Sequence, residues 1–294
     1  MSDPEVTRDF TPLRILALGG GTQSCALALM SARGDLPKLD AIVFADTQGE
    51  LPETYAYVDY LRTVVEPAGI PLHVVTGGNL EQSMLGQAHT PGNPTPPAHM
   101  RHEDGTKGRI NGYKCSYDFK RRIVERKVKE LCGAPGAWKR TQVEQWVGFS
   151  LDEVGRMKPH PWMTNRWPLI ELRMRREDTI RWFGANGHPA PPRSACWFCP
   201  NSGNERWQAL KASHPDLWER ACRLDEGIRN VSDFRNRDKH AFADGTTLYL
   251  HGSLTPLRVA DTRTARERAL DDGQGELFDS DALAMDCNAG VCFT

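Results

Sequence analysis

Two separated segments carry residues whose types and spacing suit chemistry. The first is Gly19-Gly20-Gly21-Thr22-Gln23-Ser24, which follows the apolar run Leu16-Ala17-Leu18 and leads into an apolar helical pattern. Glycines between a strand and a helix let the backbone approach an anion closely. The free N–H groups and the dipole at a helix start favour a phosphate there. Thr22 and Ser24 add hydroxyl donors. No Gly-Lys-Ser/Thr follows, so the Walker pattern is absent, and the third glycine of the dinucleotide fingerprint is missing. Taken alone, the turn serves equally well as a tight turn with a helix start. The second segment is Cys196-Trp197-Phe198-Cys199-Pro200. Its two-residue spacing suits a redox dithiol, or half of a zinc or iron–sulfur site.

The elements that must position these segments follow from periodicity. Residues 14–18, 41–45 and 72–75 read as buried strands, and residues 24–32 and 53–65 as helices. Strands alternating with helices imply a parallel sheet with right-handed crossovers. Ligands on such sheets gather at the C-terminal strand ends, where the glycine turn and Asp46-Thr47 both fall. Residues 89–112 are rich in Pro, Gly, His and charge, and read as a long functional or disordered loop. Residues 116–131 form a basic helical pattern, 145–149 a further strand, and 178–186 and 204–225 helical patterns. From Asp261 onward the chain turns polar and then acidic, as a mobile tail does. The expected organisation is an α/β domain over residues 1–175, a mainly helical portion over 176–260, and a tail over 261–294.

Composition excludes some classes. A chain of 294 residues with 39% hydrophobic and 26% charged content is ordinary for a globular protein. A net charge of −1 gives no global pull toward nucleic acid or a membrane. No apolar run reaches the length of a membrane span, and the acidic N-terminus lacks a signal-peptide core. The expectation is a cytoplasmic protein. Its eight cysteines then favour metal, redox or buried roles over a disulfide framework. Cys25, Cys132 and Cys222 sit in apolar helical patterns and read as small buried hydrophobes.

Several segments, in order, resemble a known family. Gly19 to Ser24 is similar to the PP-loop of the adenine nucleotide alpha-hydrolase superfamily, whose usual form is Ser-Gly-Gly-x-Asp-Ser. Phe44-Ala45-Asp46-Thr47-Gln48-Gly49-Glu50-Leu51-Pro52-Glu53-Thr54 resembles the second-strand motif of its phosphoadenosine phosphosulfate (PAPS) reductase family. Trp146-Val147-Gly148-Phe149-Ser150-Leu151-Asp152-Glu153 with Arg156 resembles that family's later loop. Tyr113-Lys114-Cys115 with Phe119-Lys120 resembles its cysteine–lysine segment, and Pro192 to Pro200 completes the set. The resemblance runs from about Arg14 to about Leu257. Two positions depart from the PP-loop form: Gly19 stands at its first serine and Gln23 at its acid.

The resemblance implies a HUP-like PP-loop domain with helices on both sheet faces. It implies ATP or a related adenine nucleotide on Gly19, Gly20, Gly21, Thr22, Gln23 and Ser24, with Asp46 and Thr47 near the adenosine. The loop holding Gly148, Ser150, Asp152 and Glu153 would close over phosphate. Arg156 would be a charge partner, and Asp152 or Glu153 a Mg²⁺ or positioning group. Read without the resemblance, that acid pair is a helix N-terminal feature. In related sulfur-chemistry members a cysteine at the position of Cys115 contributes to a 4Fe–4S cluster, so Cys115, Cys196 and Cys199 are the expected ligands. Soft thiolates also suit zinc. Cys287 or Cys292 is the candidate tail nucleophile or sulfur carrier. Asp286-Cys287 resembles the C-terminal segment of sulfonucleotide reductases loosely, without its Gly-Ile-His continuation.

The expected function is ATP-dependent sulfur transfer: adenylation, then thiolation, of a nucleic acid or small molecule. Ser24, Arg156, Cys287 and Cys292 are the expected catalytic residues. One alternative is reduction of a sulfonucleotide to sulfite, and another is a nucleotide-binding subunit without turnover. Nucleic acid would be met by the 116–131 basic helix, unless its cations simply pair with Glu125 and Glu130. A sulfur donor protein and a second copy of the chain are the other expected partners.

Overall fold

The computed structural model describes residues 12–86, 97–109, 115–229 and 245–271. The chain begins with β1 (Leu13–Leu18), α1 (Thr22–Arg33), β2 (Ala41–Asp46), α2 (Pro52–Val65), β3 (Leu72–Thr76) and α3 (Leu80–Met84). A hairpin follows, β4 (His99–Arg101) and β5 (Lys107–Arg109), then a π-helical turn over Ser116–Arg121 continuing as α4 (Arg122–Leu131). Next come β6 (Val143–Val147), a 3-10 helix over Leu151–Arg156, β7 (Thr164–Arg166), α5 (Pro168–Glu171) and α6 (Arg176–Ala185). The last elements are α7 (Asn204–Ser213), α8 (Pro215–Gly227), β8 (Thr247–Tyr249) and α9 (Ala265–Asp271).

Five strands pair in the order β3-β2-β1-β6-β7, all parallel. Alternate side chains leave the sheet on opposite faces. Leu16, Leu18, Ile42, Phe44 and Trp146 pack with Leu27 and Leu29 of α1 and Leu61 of α2. Ile15, Ala17, Val43 and Ala45 pack with Ile123, Val124 and Val128 of α4. Helices cover both faces, which is why these strands read as unbroken apolar runs. The expected α/β class with a parallel sheet is the fold observed.

The order reverses at β1, which has β2 on one side and β6 on the other. That reversal opens a crevice at the C-terminal strand ends. The glycine turn leaves β1 there, and residues 148–156 leave β6 beside it.

A third apolar cluster joins α3, α7, α8 and the Cys-x-x-Cys turn, through Leu80, Trp197, Phe198, Trp207, Trp218 and Leu224. It also takes in Leu248 of a three-stranded antiparallel sheet, β5-β4-β8. This sheet was not legible in the sequence. Within the segment expected to be one long loop, residues 99–109 form a hairpin instead. Its turn is built on Asp104, whose carboxylate accepts from Thr106 N at 2.9 Å, and on Gly105 at φ 81°. The helical pattern over 204–225 is two helices. Pro215 cannot donate to the helix before it, and His214 adopts φ −137°, ψ 67° between α7 and α8. Phe183 of α6 belongs to the cluster around α1, so this helix packs with the α/β core. Within the segment read as a tail, residues 261–263 are held by Asn204, whose Nδ2 donates to Asp261 O and Arg263 O, and α9 follows.

His251 reads in the sequence as a satisfied loop histidine, and it is one. Its ring bridges Ser253 Oγ at 2.7 Å and Asn204 Oδ1 at 2.9 Å, and it is 5% exposed. Burial holds its pKa below the ordinary imidazole value. A histidine kept neutral by the fold contributes stability above its unfolded pKa, and loses it as pH falls through the depressed folded value. Thermal melts stepped downward from about pH 7 should therefore show a falling midpoint, and His251→Gln should reduce that slope. An unchanged slope in the variant would mean that other groups carry it.

Candidate active site at the sheet's C-terminal edge

Gly21 is the N-cap of α1 and offers no side chain to the first-turn amides, and no acidic residue stands in that turn. The N-terminus of a twelve-residue helix is thus left without the usual cap. A Cβ built on Gly21 would meet nothing within 4 Å, so the turn is open on that side. Gly20 has φ 76°, and a Cβ there would stand 3.2 Å from Ser194 Oγ and 3.3 Å from Thr54 Cγ2. Only glycine meets both conditions without strain. The Ser24 hydroxyl is engaged inside the turn: it accepts from Gly19 N at 3.1 Å and donates to Gly21 O at 3.2 Å. It shapes the loop, while backbone amides remain for an anion.

The β6 loop closes against this turn. A Cβ on Gly148 would lie 2.7 Å from Ser24 N, a collision with backbone that no side-chain movement relieves. Gln23 Nε2 donates to Glu153 Oε2 at 3.1 Å. Glu153 also forms a capping box with Ser150 and an ion pair with Arg156. Asp152 Oδ2 accepts from Ser150 Oγ and from Arg176 N, both at 3.1 Å. Glu153 thus caps the short helix, whereas Asp152 ties Ser150 to the first turn of α6. The amide at position 23 complements Glu153, where an acid would face a like charge. Arg156 lies over the Phe149 ring at 4.5 Å.

The β2 loop supplies the third wall. Asp46 Oδ1 accepts from Gln48 N at 2.7 Å and from the Tyr55 hydroxyl at 2.8 Å. Burial, then the bond to Asp46, pushes the Tyr55 phenol well above its ordinary range. Gln48 holds φ 59°, a left-handed conformation unusual for a residue with a side chain. Thr47 Oγ1 lies 3.3 Å from Cys196 Sγ. The Cys-x-x-Cys turn docks here through Trp197 N to Gly49 O at 2.9 Å, and closes on itself through Cys199 N to Cys196 O at 3.1 Å. A Cβ on Gly49 would come within 2.7 Å of the Phe198 ring. The glycine turn and the cysteine pair, far apart in the chain, therefore meet at one sheet edge.

Sequence reasoning missed the residue that joins them. The Glu50 side chain is fully buried. It accepts from Lys120 Nζ at 3.2 Å and from Ser194 Oγ at 3.0 Å. It thus ties the β2 loop to the turn that follows Cys115 and to the stretch of chain that precedes Cys196. The signal was an acid among loop residues, which reads as solvated until partners far along the chain are known. Cys115 and Cys196 both pack at the margin of the third apolar cluster. Among the described residues, no three His, Cys, Asp or Glu side chains gather as a metal-holding group. Cys25 and Cys222 are buried, as expected, and Cys132 is partly so. Burial raises all three thiol pKa values, that of Cys222 to about 11. Cys287 and Cys292 lie outside the described residues, as do Tyr113 and Lys114.

On the basic helix, Lys120 turns inward to Glu50. Arg121 pairs with Glu125, Arg122 with Asp118 and Lys127 with Glu130. Among the described residues, no helix is long and apolar enough to cross a membrane.

No protein-family model matches this chain, and no curated protein matches it. Among solved structures it is similar to a phosphoadenylyl-sulfate (PAPS) reductase from Candida auris, crystallised as a phosphate complex. The two are 12% identical, with a TM-score of 0.40 over 64% of this chain and 82% of that one.

Glu50→Gln would keep an oxygen for Ser194 but leave the Lys120 ammonium opposite a neutral amide. Urea denaturation should show a loss of about 3–5 kcal/mol, the scale for breaking a mostly buried pair. The double variant Glu50→Leu, Lys120→Met should recover much of it. A silent Glu50→Gln would show that the pair does not hold the site together.

Proposed function

We propose that this chain is an adenine-nucleotide-dependent enzyme of the PAPS-reductase-like PP-loop type, and that it transfers sulfur to an activated acceptor. The observation that carries this reading is the uncapped start of α1 at the sheet's point of strand reversal, with Cys196 docked on the neighbouring loop. The first feature suits nucleotide phosphates and the second suits sulfur chemistry. The ordered motifs quoted for the family resemblance support the same assignment.

In this reading the amides of Thr22, Gln23 and Ser24 hold the nucleotide phosphates, and Gly21 leaves room for their approach. Fixed backbone dipoles stabilise charge developing on the phosphate without reorganising, and such preorganised stabilisation commonly dominates catalysis of these transfers. Arg156 is the nearest cation on the β6 loop and would leave Glu153 to meet it. An acceptor oxygen attacks the α-phosphorus of ATP, and pyrophosphate departs. A persulfide on Cys196 then attacks the activated carbon and AMP departs, leaving the product sulfur joined to Cys196. Cys199 attacks the Cys196 sulfur, which releases the thiolated product and leaves a Cys196–Cys199 disulfide for an external dithiol to reduce. Without a gathered ligand set among the described residues, no step is assigned to a metal cluster. Mg²⁺ on Asp152 or Glu153 would require those carboxylates to leave the bonds they make to Arg176 N and within the capping box.

The purified protein should release pyrophosphate from ATP when given acceptor and a persulfide donor. Gly20→Ala should weaken ATP binding by roughly tenfold, since the turn must distort. Cys196→Ser should keep pyrophosphate release and lose sulfur incorporation. Sulfite formed from PAPS would instead select the reductase reading. Retention of ATP with neither product would select a binding subunit.

A further inference from the structure

A second cavity lies across the sheet from α1. It has a volume of about 300 Å³ and is bounded by β1, β6 and β7, by α4, and by residues 155–160. That size is at the lower end for pockets that hold small molecules. Its floor combines Ala17 and Val147 with two side-chain amides, Gln145 and Asn165, joined by a bond from Gln145 Nε2 to Asn165 Oδ1 at 3.3 Å. Asn165 Nδ2 donates onward to Lys158 O at 2.9 Å. The amide pair is therefore fixed in orientation. Gln145 keeps its carbonyl oxygen and one N–H for a ligand. Phe149 and Trp167 bring aromatic rings to the walls, and Arg121, Arg156, Lys158 and His160 bring nitrogen bases.

Charge around the cavity is partly balanced. Glu125 accepts from Arg121 Nε and lies against His160 Nε2, both at 2.9 Å. Burial raises the Glu125 pKa, but the bonds from His160 and Arg121 outweigh it, so the carboxyl sits below its ordinary value. Glu153 balances Arg156. Lys158 is exposed at the mouth. Arg121 and Lys158 are the exposed cations of the lining, whereas the His160 side chain is 5% exposed and the Arg156 guanidinium lies over Phe149.

The β6 loop separates this cavity from the glycine turn. Phe149 and Arg156 line the cavity, whereas Ser150 and Glu153 meet Gln23 of α1. A ligand here would lie on the α4 face, opposite α1.

We propose that this cavity binds a nucleobase carrying a 5′-phosphate. The ring lies against Trp167, beside the Arg156 guanidinium that covers Phe149, its polar edge meets the Gln145–Asn165 pair, and the phosphate rests at Lys158. Aromatic walls with a fixed amide edge and a cationic rim are the chemistry that recognises a base. The proposal rests on the adenylating reading only for its role, which is to present the acceptor; binding itself does not depend on that reading. A free mononucleotide and a single-stranded oligonucleotide both carry the group.

The test is titration calorimetry of the full chain with AMP, GMP, CMP and UMP, with a short single-stranded oligonucleotide, and separately with ATP. Gln145→Leu and Lys158→Glu should each weaken the preferred monophosphate by roughly tenfold. They should leave ATP affinity within about threefold, because Ser150 and Glu153 of the β6 loop, not Gln145 or Lys158, meet Gln23 of α1. Gly20→Ala should show the reverse. Trp167→Phe should abolish ligand-induced quenching of tryptophan emission, a readout that survives if a pocket variant folds poorly. An oligonucleotide bound more tightly than its monomer, and still sensitive to Gln145→Leu, identifies a nucleic acid as the source. Equal weakening of ATP and monophosphate by the pocket variants would overturn the proposal, because the cavity would then belong to the ATP site. So would monophosphate binding that is indifferent to them. Loss of ATP binding alone would refute the adenylating reading and leave this one standing.

Discussion

The Glu50 carboxylate is the constraint on which the site depends. A charge with no exposed side-chain surface must be satisfied within the fold, and Lys120 and Ser194 do so from sequence positions far downstream. Each partner brings its own segment. Lys120 brings the π-turn that starts beside Cys115, and Ser194 brings the chain that turns at Cys196. Without that acid, the β2 loop, the basic helix and the cysteine turn have no common polar anchor. Hydrophobic contact between Phe198 and Gly49 presses the same turn inward. The position of the cysteine turn on the β2 loop is therefore set by polar pairing inside an apolar seam.

The glycine turn depends on a different kind of fit. Gly148 leaves no room for a methyl group against the Ser24 backbone, and Gly20 combines a φ of 76° with tight contact to Ser194 and Thr54. Gln23 then adds a bond that its amide can give to Glu153 and a carboxylate cannot. The departure from the usual PP-loop form at this position acquires a physical reason here. An acid at position 23 would repel Glu153, which is already committed to the capping box and to Arg156. The loop keeps its open backbone and changes the polarity of its neighbour contact.

Much of this was legible in the sequence. Leu16 to Leu18, Ala41 to Ala45 and the helices between them announce a parallel sheet, because short apolar runs that alternate with helices suit strands covered on both faces. The glycine turn and the cysteine pair were likewise visible as types and spacings. What stayed hidden depends on partners distant in the chain. Thr164–Arg166 is short and polar, and is a strand only because β6 offers it an edge. The His99–Arg109 hairpin needs Thr247–Tyr249, which lies far downstream. Glu50 looks like a surface acid until Lys120 and Ser194 are placed. Gln145 and Asn165 become a binding edge only once β6 and β7 are neighbours.

The β1–β6 pairing has a further consequence for how the protein comes into being. Leu13 pairs with Val143, and the Gln23–Glu153 bond spans 130 residues. Strands β1, β2 and β3 with their helices can assemble early on a ribosome, since their contacts are close in sequence. The crevice cannot, because half of it is β6 and the loop after it. Closing so long a loop costs entropy before any contact rewards it. A nascent chain that already holds the glycine turn therefore has only one wall of the crevice until β6 has emerged and docked. The crevice is finished only when the sheet is, so a half-made chain carries the glycine turn without the loop that faces it.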